Sequence, residues 1–271
     1  MKKITLSKEK ETLFLPLYSK AKISKTNSIL TDRKAEEIVS SATYDFGKNK
    51  MSKFVDIYMA LRASILDDYC NEFLKNNPGT VVFHLGCGLD SRINRISEKY
   101  QMWYDLDFPE VIDLRKEFYQ ESDTYKMISS SVTELTWLDS ISTGSSPVLI
   151  IAEGLTMYLS ENDIKNLFLA FRNKFVLSYF IFDAYSVFSV KISKYKNPVN
   201  KMGAVIRWGL DDPGKTEEYS PDILHIDTIY FTDSRKIEKL GSFDRFMFKL
   251  LYSNKFMKNL YRIYIFKIEK N

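Results

Sequence analysis

Three observations predict an α/β fold for this 271-residue chain, with a mostly parallel sheet covered by helices on both faces. Strand-length apolar runs alternate with helical segments from residue 81 to 185. The first run, Val81-Val82-Phe83-His84-Leu85, leads into a Gly-x-Gly turn at Gly86 and Gly88. The second run ends in acid, Tyr104-Asp105-Leu106-Asp107, with Asp107 following Gly88 by 19 residues. That distance is close to the roughly 20 residues at which a strand-end carboxylate meets a ribose diol. Strand, glycine turn, helix, strand and acid form the order of a nucleotide-binding βαβ unit, so the class is Rossmann-like.

Ahead of that unit, residues 12–75 carry helical apolar periodicity through Leu13-Leu17-Ala21, Ala35-Ile38-Val39 and Val55-Tyr58-Leu61-Ile65. Asn77-Pro78-Gly79 breaks that pattern before the first strand. Strands are expected at 81–85, 102–106, 125–129, 147–152 and 176–183, with helices near 91–99, 109–120 and 161–173 between them. Residues 186–222 contain Pro198, Gly203, Gly209, Pro213, Gly214 and Pro221 and read as an irregular insertion or lid. Strands near 224–231 and 261–268, flanking a helix near 244–258, would close the sheet. The expected organisation is an N-terminal helical cap, 1–76, on a core, 77–271, in one compact unit.

Composition narrows the function. Hydrophobic residues at 45% and aromatics at 14% suffice for a sizeable core. The net charge of +4 is small and the lysines are scattered, which fits a solvated surface and not nucleic-acid binding. Two cysteines, Cys70 and Cys87, fit a reducing compartment and show no metal-ligand spacing, and with only His84 and His225 no Cys/His zinc site is expected. Met1-Lys2-Lys3-Ile4 is basic, but the residues after Ile4 are too polar for a signal-peptide core. The longest apolar runs, Val148–Ala152 and Phe175–Phe182, fall far short of a membrane span. A soluble, cytoplasmic protein without a membrane partner is the expectation.

The turn itself, Gly86-Cys87-Gly88-Leu89-Asp90-Ser91, discriminates between adenosine ligands. It lacks the third glycine that lets a dinucleotide's helix pack tightly on the strand. Asp90 falls near the helix N-terminus where a pyrophosphate would lie, and a carboxylate there repels phosphate. S-adenosylmethionine has no phosphate and carries a sulfonium and an ammonium group, which acid favours. The turn therefore points to S-adenosylmethionine over NAD. Asp90 is equally suited to capping the helix, which is compatible with that reading.

Ligands of such sheets sit at the carboxyl ends of the strands. Glu153 passes this test, arriving immediately after the apolar run Val148-Leu149-Ile150-Ile151-Ala152; a loop glutamate in water is the alternative. Asp107 is the better ribose candidate because Phe108-Pro109 ends the strand there, although Asp105 can serve instead. Ser131 comes after the third strand, where a side chain could meet adenine or simply face solvent. Arg62 sits within the apolar stretch Ala60-Leu61-Arg62-Ala63. A guanidinium pairs bidentately with carboxylates, which suits the methionine carboxylate of the cofactor. The other reading of Arg62 is a stem on the core with its head in water.

These residues resemble the leucine carboxyl methyltransferase family, which includes polyketide-pathway O-methyltransferases and depends on S-adenosylmethionine. The resemblance rests on Val82-Phe83-His84-Leu85-Gly86-Cys87-Gly88-Leu89-Asp90-Ser91-Arg92, on Tyr104-Asp105-Leu106-Asp107-Phe108-Pro109-Glu110-Val111-Ile112, and on Ala152-Glu153-Gly154-Leu155-Thr156-Met157-Tyr158-Leu159. Upstream, Leu17-Tyr18-Ser19-Lys20-Ala21 and Leu30-Thr31-Asp32-Arg33-Lys34-Ala35 look like the family's helical cap. The resemblance implies a class I methyltransferase sheet in which Arg62, and less directly Lys20, hold the cofactor's carboxylate. Gly86 and Gly88 would shape the turn beneath it, Asp107 would bind the ribose, and Glu153 would lie beside the aminoacyl end. One departure concerns adenine. The family often carries Asp-Leu after the third strand, where this chain has Ser131-Val132, which offers a hydrogen bond without charge.

Methyl transfer from a sulfonium is an in-line displacement that demands alignment and exclusion of water. A carboxylate acceptor is already ionised, whereas a phenol or alcohol requires a base. His84 lies inside a strand, His225 in a late strand, and Tyr158 is either pocket lining or core. That scarcity favours carboxylate methylation of a small molecule or peptide, and no residue is assigned as catalytic. An NAD(P)-linked oxidoreductase and a non-catalytic S-adenosylmethionine-binding module are the alternative readings. Residues 12–50 and 186–222 are expected to cover the carboxyl edge and set acceptor choice. Lys191, Lys194, Lys196, Lys201 and Arg207 could attract an anionic acceptor there, or form a solvated basic face.

Overall fold

Every residue of Val81–Leu85 and Val148–Ala152 is buried, so both strands must be covered on two sides. A computed structural model, which describes residues 2–3, 10–26, 29–49, 51–195 and 203–270, shows how this is done. The main sheet has seven strands: β1 (Val81–Leu85), β2 (Met102–Asp107), β3 (Tyr125–Ser129), β4 (Val148–Ala152), β5 (Leu177–Tyr185), β6 (Ile223–Ile229) and β7 (Tyr261–Glu269). Their order is β3-β2-β1-β4-β5-β7-β6, with the first five parallel and β7 antiparallel to both neighbours. The chain winds outwards from β1 to β3, then returns to place β4 on the other side of β1. The crevice at that reversal is where sheets of this kind take their ligands.

Alternation along the strands sorts the core into two layers. Val82, Leu149, Ile151 and Ile181 face α1 (Phe14–Ser24), α2 (Arg33–Ser41) and α3 (Lys53–Asn76). Phe83, Ile150, Phe180 and Phe182 face Ile164, Leu167, Phe168 and Phe171 of α6 (Glu161–Lys174). The N-terminal helices thus share a core with one face of the sheet. Side-chain caps start these helices: Asp32 accepts from Ala35 N at 2.9 Å, Ser52 from Val55 N, and Ser160 with Asp163 forms a reciprocal box.

The expected helix near 91–99 is a single turn, α4 (Arg92–Arg95). Beyond it, Asn71 Oδ1 takes the N–H groups of Ser97 and Glu98 at 2.9 and 3.2 Å, so those donors are satisfied outside a helix. The segment near 109–120 is helical as α5 (Pro109–Lys116). Among its described residues the insertion carries two short helices, α7 (Val187–Ser193) and α8 (Gly214–Glu217). The segment near 244–258 divides into α9 (Ser242–Tyr252) and α10 (Lys255–Lys258), because Asn254 accepts from Met257 N and starts a new turn.

The insertion is less loose than its Pro and Gly content suggests. Its residues Ile206, Trp208 and Leu210 are buried. Arg207 N donates to Met157 O at 2.7 Å and Leu210 N to Tyr185 O at 2.8 Å, strapping the segment across the ends of β4 and β5. A Cβ on Gly209 would lie 2.6 Å from Tyr185 O, so only glycine fits there. Lys191, Lys194 and Arg207 are exposed; Lys196, Pro198 and Lys201 lie outside the described residues. Among the described residues no helix is long and apolar enough to cross a membrane.

Candidate functional site

The turn after β1 and the turn after β4 meet at the crevice. Gly86 and Gly88 both have positive φ, +62° and +51°, and a Cβ on Gly86 would come within 3.0 Å of Leu155. Gly88 N donates to Asp107 Oδ2 at 2.8 Å, and Phe108 N donates to Asp107 Oδ1 at 2.8 Å. Asp107 is half-buried at the end of β2, and burial raises its pKa against the pull of those two N–H groups. Asp105 is different. It is fully buried and bonded to Arg115, Tyr125 Oη and Trp103 Nε1, so its carboxylate supports the sheet and faces no ligand.

Glu153 and Arg62 meet directly, but not as a stem with its head in water. Arg62 is 4% exposed. Its Nε donates to Glu153 Oε1 at 3.1 Å and its Nη2 lies 3.0 Å from the same oxygen. Its Nη1 donates to Asp183 Oδ2 at 3.2 Å and to Tyr261 Oη at 2.5 Å. The forked Nε–Nη2 edge that could clasp a ligand carboxylate with two bonds is therefore turned towards Glu153, which leaves Nη2 its second N–H.

Behind this pair runs a buried chain of charges. Arg92 joins Glu153 Oε2 to Asp67, and Arg95 joins Asp67 to Asp32 and Asp90. Lys20 from α1 closes on Asp90, which places the N-terminal helix over the glycine turn; Leu13 lies 3.4 Å from where a Gly88 Cβ would be. Asp90 Oδ1 also accepts from Arg92 N at 2.6 Å, an Asx turn just ahead of the helix, whose N-cap position is Ser91 and not Asp90. Its charge is thus matched by Lys20 and Arg95.

Ser131 and Val132 stand apart from this chain. Ser131 Oγ pairs with Thr133 Oγ1 at 2.9 Å, and the Val132 side chain is packed in the core with Trp137 and Ile141. Their turn is linked to the site through the backbone, Ser130 N donating to Asp107 O at 3.0 Å. His84 is buried beside Asp105 and Arg92, and His225 contacts Thr228, so both histidines are structural. Tyr158 is half-buried, with its pKa pushed up to about 12 by burial.

Sequence reasoning missed Asp183, Tyr261 and Arg92. A charge inside the apolar run Tyr179-Phe180-Ile181-Phe182-Asp183, at the carboxyl end of its strand, was the available signal.

The two acids beside Arg62 titrate in opposite directions. Burial opposes ionisation of Glu153, but Arg62, Lys20 and Arg92 outweigh it and hold the group down to about 2. Asp183 has Arg62 as its cation, and burial wins, raising it from 3.8 to about 6. Glu153 therefore contributes stability that is present above its unfolded value of about 4.3 and is lost as pH falls towards 2. For Asp183 the contribution is full below about pH 4 and is lost as pH rises through 6. Urea midpoints of the native protein should accordingly fall, relative to Asp183→Asn, between pH 4 and 6. Parallel midpoints across that window would show that Asp183 is ionised throughout.

A sequence model of the leucine carboxyl methyltransferase family matches residues 13–171. The chain belongs to that family. It is 33% identical over 244 residues to the tetracenomycin polyketide synthesis O-methyltransferase TcmP of Streptomyces glaucescens, spanning 87% of this chain and 90% of that one. It is 30% identical to the S-adenosyl-L-methionine-dependent methyltransferase dpfgK of Gibberella zeae, over 84% of each chain. Among solved structures, a DUF574 family protein of Streptomyces avermitilis superposes with a TM-score of 0.59 at 9% identity, covering 92% of this chain and 100% of that one. A S-adenosylmethionine-dependent methyltransferase of Anabaena variabilis gives 0.50 at 12%, covering 78% and 84%. At that identity the likeness is one of fold. The family makes the protein an S-adenosylmethionine-dependent O-methyltransferase, and the reading as an oxidoreductase falls.

The charge inventory agrees with that cofactor. Along the chain from Lys20 to Asp183, four cations (Lys20, Arg62, Arg92, Arg95) face five carboxylates (Asp32, Asp67, Asp90, Glu153, Asp183). S-adenosylmethionine, with sulfonium, ammonium and carboxylate, brings one net positive charge.

Proposed function

We propose that this methyltransferase esterifies a carboxylate on a small organic acid, with S-adenosylmethionine bound between the β1 and β4 turns. Asp107 would accept the ribose hydroxyls, Gly86 and Gly88 let the ligand approach the main chain, and Glu153 takes the ammonium. Arg62 Nη2 and Lys20 are the cations for the methionine carboxylate, and Ser131 with the Val132 backbone borders adenine. The cofactor supplies the electrophilic methyl group; the chain's part is to orient it and keep water out.

The observation that carries a carboxylate over a hydroxyl acceptor is the lack of a presented base among the described residues. His84 and His225 are engaged elsewhere, and Asp183 is buried against Tyr261, Arg62 and Gly154 N. An ionised acid asks for none. The naming of TcmP for polyketide synthesis supports a small organic acid over the leucine carboxyl group of the family's name. The scattered lysines and the small net charge speak against nucleic acid, and the free, buried Cys70 and Cys87 suit the cytoplasm. The described parts of residues 12–50 and 186–222 would cover the carboxyl edge and set acceptor choice. Incubation with methyl-labelled cofactor and a panel of acids and phenols tests the reading. Label released as methanol by mild base marks an ester, and base-stable label on phenols alone would overturn it.

Asp107→Ala should weaken cofactor binding about ten-fold or more, the loss of a charged hydrogen-bond acceptor costing roughly 1.5–3 kcal/mol. Calorimetry with S-adenosylhomocysteine reads this directly, and an unchanged affinity would place the ribose elsewhere.

A further inference from the structure

Tyr261 opens β7, far from the glycine turn in sequence, yet its hydroxyl lies against Arg62 and Asp183. The antiparallel ladder pairs Tyr261 with Tyr185 at the end of β5. The Tyr261 ring is held between Tyr185 and Phe231, at centroid separations of 4.4 and 5.4 Å. So fixed, its hydroxyl donates to Asp183 Oδ2 and accepts from Arg62 Nη1. Asp183 is fixed in turn, because Gly154 N donates to its Oδ1 at 2.7 Å and its Oδ2 receives Arg62 Nη1.

We propose that Tyr261 and Asp183 are a positioning pair that captures Arg62 Nη1 and so presents Nη2 to the carboxylate of S-adenosylmethionine. The inference rests on the reading of Arg62 as a carboxylate ligand. A guanidinium is planar, so fixing the Nε–Nη2 edge on Glu153, with Nη2 3.0 Å from Oε1, and Nη1 on the pair fixes the direction of the second N–H on Nη2. Either contact alone would leave the group able to swing about the other. Gly154 makes room for this: a side chain there would start 3.3 Å from both Nη atoms, and its φ of +68° excludes most side chains as well. Neither Tyr261 nor Asp183 touches the reacting atoms; both act through Arg62.

The test uses two ligands and three variants of the full chain. Dissociation constants for S-adenosylmethionine and its decarboxylated analogue are measured by calorimetry on the native protein, Tyr261→Phe, Asp183→Asn and Arg62→Ala. Tyr261→Phe keeps the stacked ring and removes only the hydroxyl. Both pair variants should bind S-adenosylmethionine about ten-fold more weakly while holding the analogue within about two-fold, since the lost contact serves only the carboxylate. KM for the cofactor should rise with kcat less affected. If both ligands weaken alike, or neither does, the pair is structural support and the proposal falls. If Arg62→Ala leaves the preference for the carboxylate intact, the reading of Arg62 fails and carries the proposal with it. If Arg62→Ala abolishes that preference while both pair variants keep it, the positioning role alone is wrong. Should Tyr261→Phe not fold, Asp183→Asn decides by the same comparison, and loss of the fold in both also overturns the proposal.

Discussion

Glu153→Ala should destabilise the protein by about 3 kcal/mol or more, because it strips a carboxylate from two buried arginines that keep their charge. Arg62 would retain Asp183, and Arg92 would retain Asp67, but Glu153 is the acid that bridges the two guanidiniums. With a denaturant slope of roughly 3 kcal/mol per molar for a chain of this size, the urea midpoint should fall by about 1 M. Cofactor binding should be lost as well, since Arg62 would be released from the edge that aligns it. A midpoint within error of the native value would mean that the arginines are solvated and the crevice is open to water.

A loss of similar size, about 3–5 kcal/mol, is expected for Asp105→Ala, and its neighbour two residues on is expected to cost less, since it answers two backbone N–H groups and no buried cation. Asp105 answers Arg115, which is itself fully buried and also donates to Gly88 O at 3.0 Å and Asp90 O at 2.8 Å. Burial opposes the ionisation of Asp105, but Arg115, with His84 and Tyr125, holds it down to about 2. Removing the acid would leave Arg115 charged in the core and loosen the glycine turn that it braces. Urea unfolding of Asp105→Ala beside Asp107→Ala separates the two roles. Equal midpoints in the two variants would show that the assignment of one acid to the core and the other to the ligand is wrong.

That pair of acids illustrates where sequence reading stops. Both end the same strand, two residues apart, so period-two alternation puts them on one face and offers no choice between them. Their difference comes from Arg115, brought alongside by α5 after the strand has turned. Arg62 was legible as a candidate from its apolar helical surroundings, but its partners come from the turn after β4 and from β5 and β7, separated from it by 91, 121 and 199 residues. No local pattern reports such a contact. The insertion was legible as irregular from its prolines and glycines, yet its attachment to Met157 and Tyr185 depends on backbone groups, which composition does not encode.

By itself the sequence determined the strands, their mostly parallel winding and the glycine turn. These rest on local rules: alternation that buries apolar side chains, glycines at positive φ, and an acid a fixed distance beyond them. Tertiary structure alone decided the electrostatics of the crevice. Lys20, Arg62, Arg92, Arg95 and the acids opposing them come from α1, the cap of α2, α3, α4 and the ends of β1, β4 and β5 or the turns after them, and each is innocuous in its own segment. Only when the sheet reverses direction between β1 and β4 do they share one low-dielectric site. There a charge must find its partner within a few ångströms or give up its ionisation.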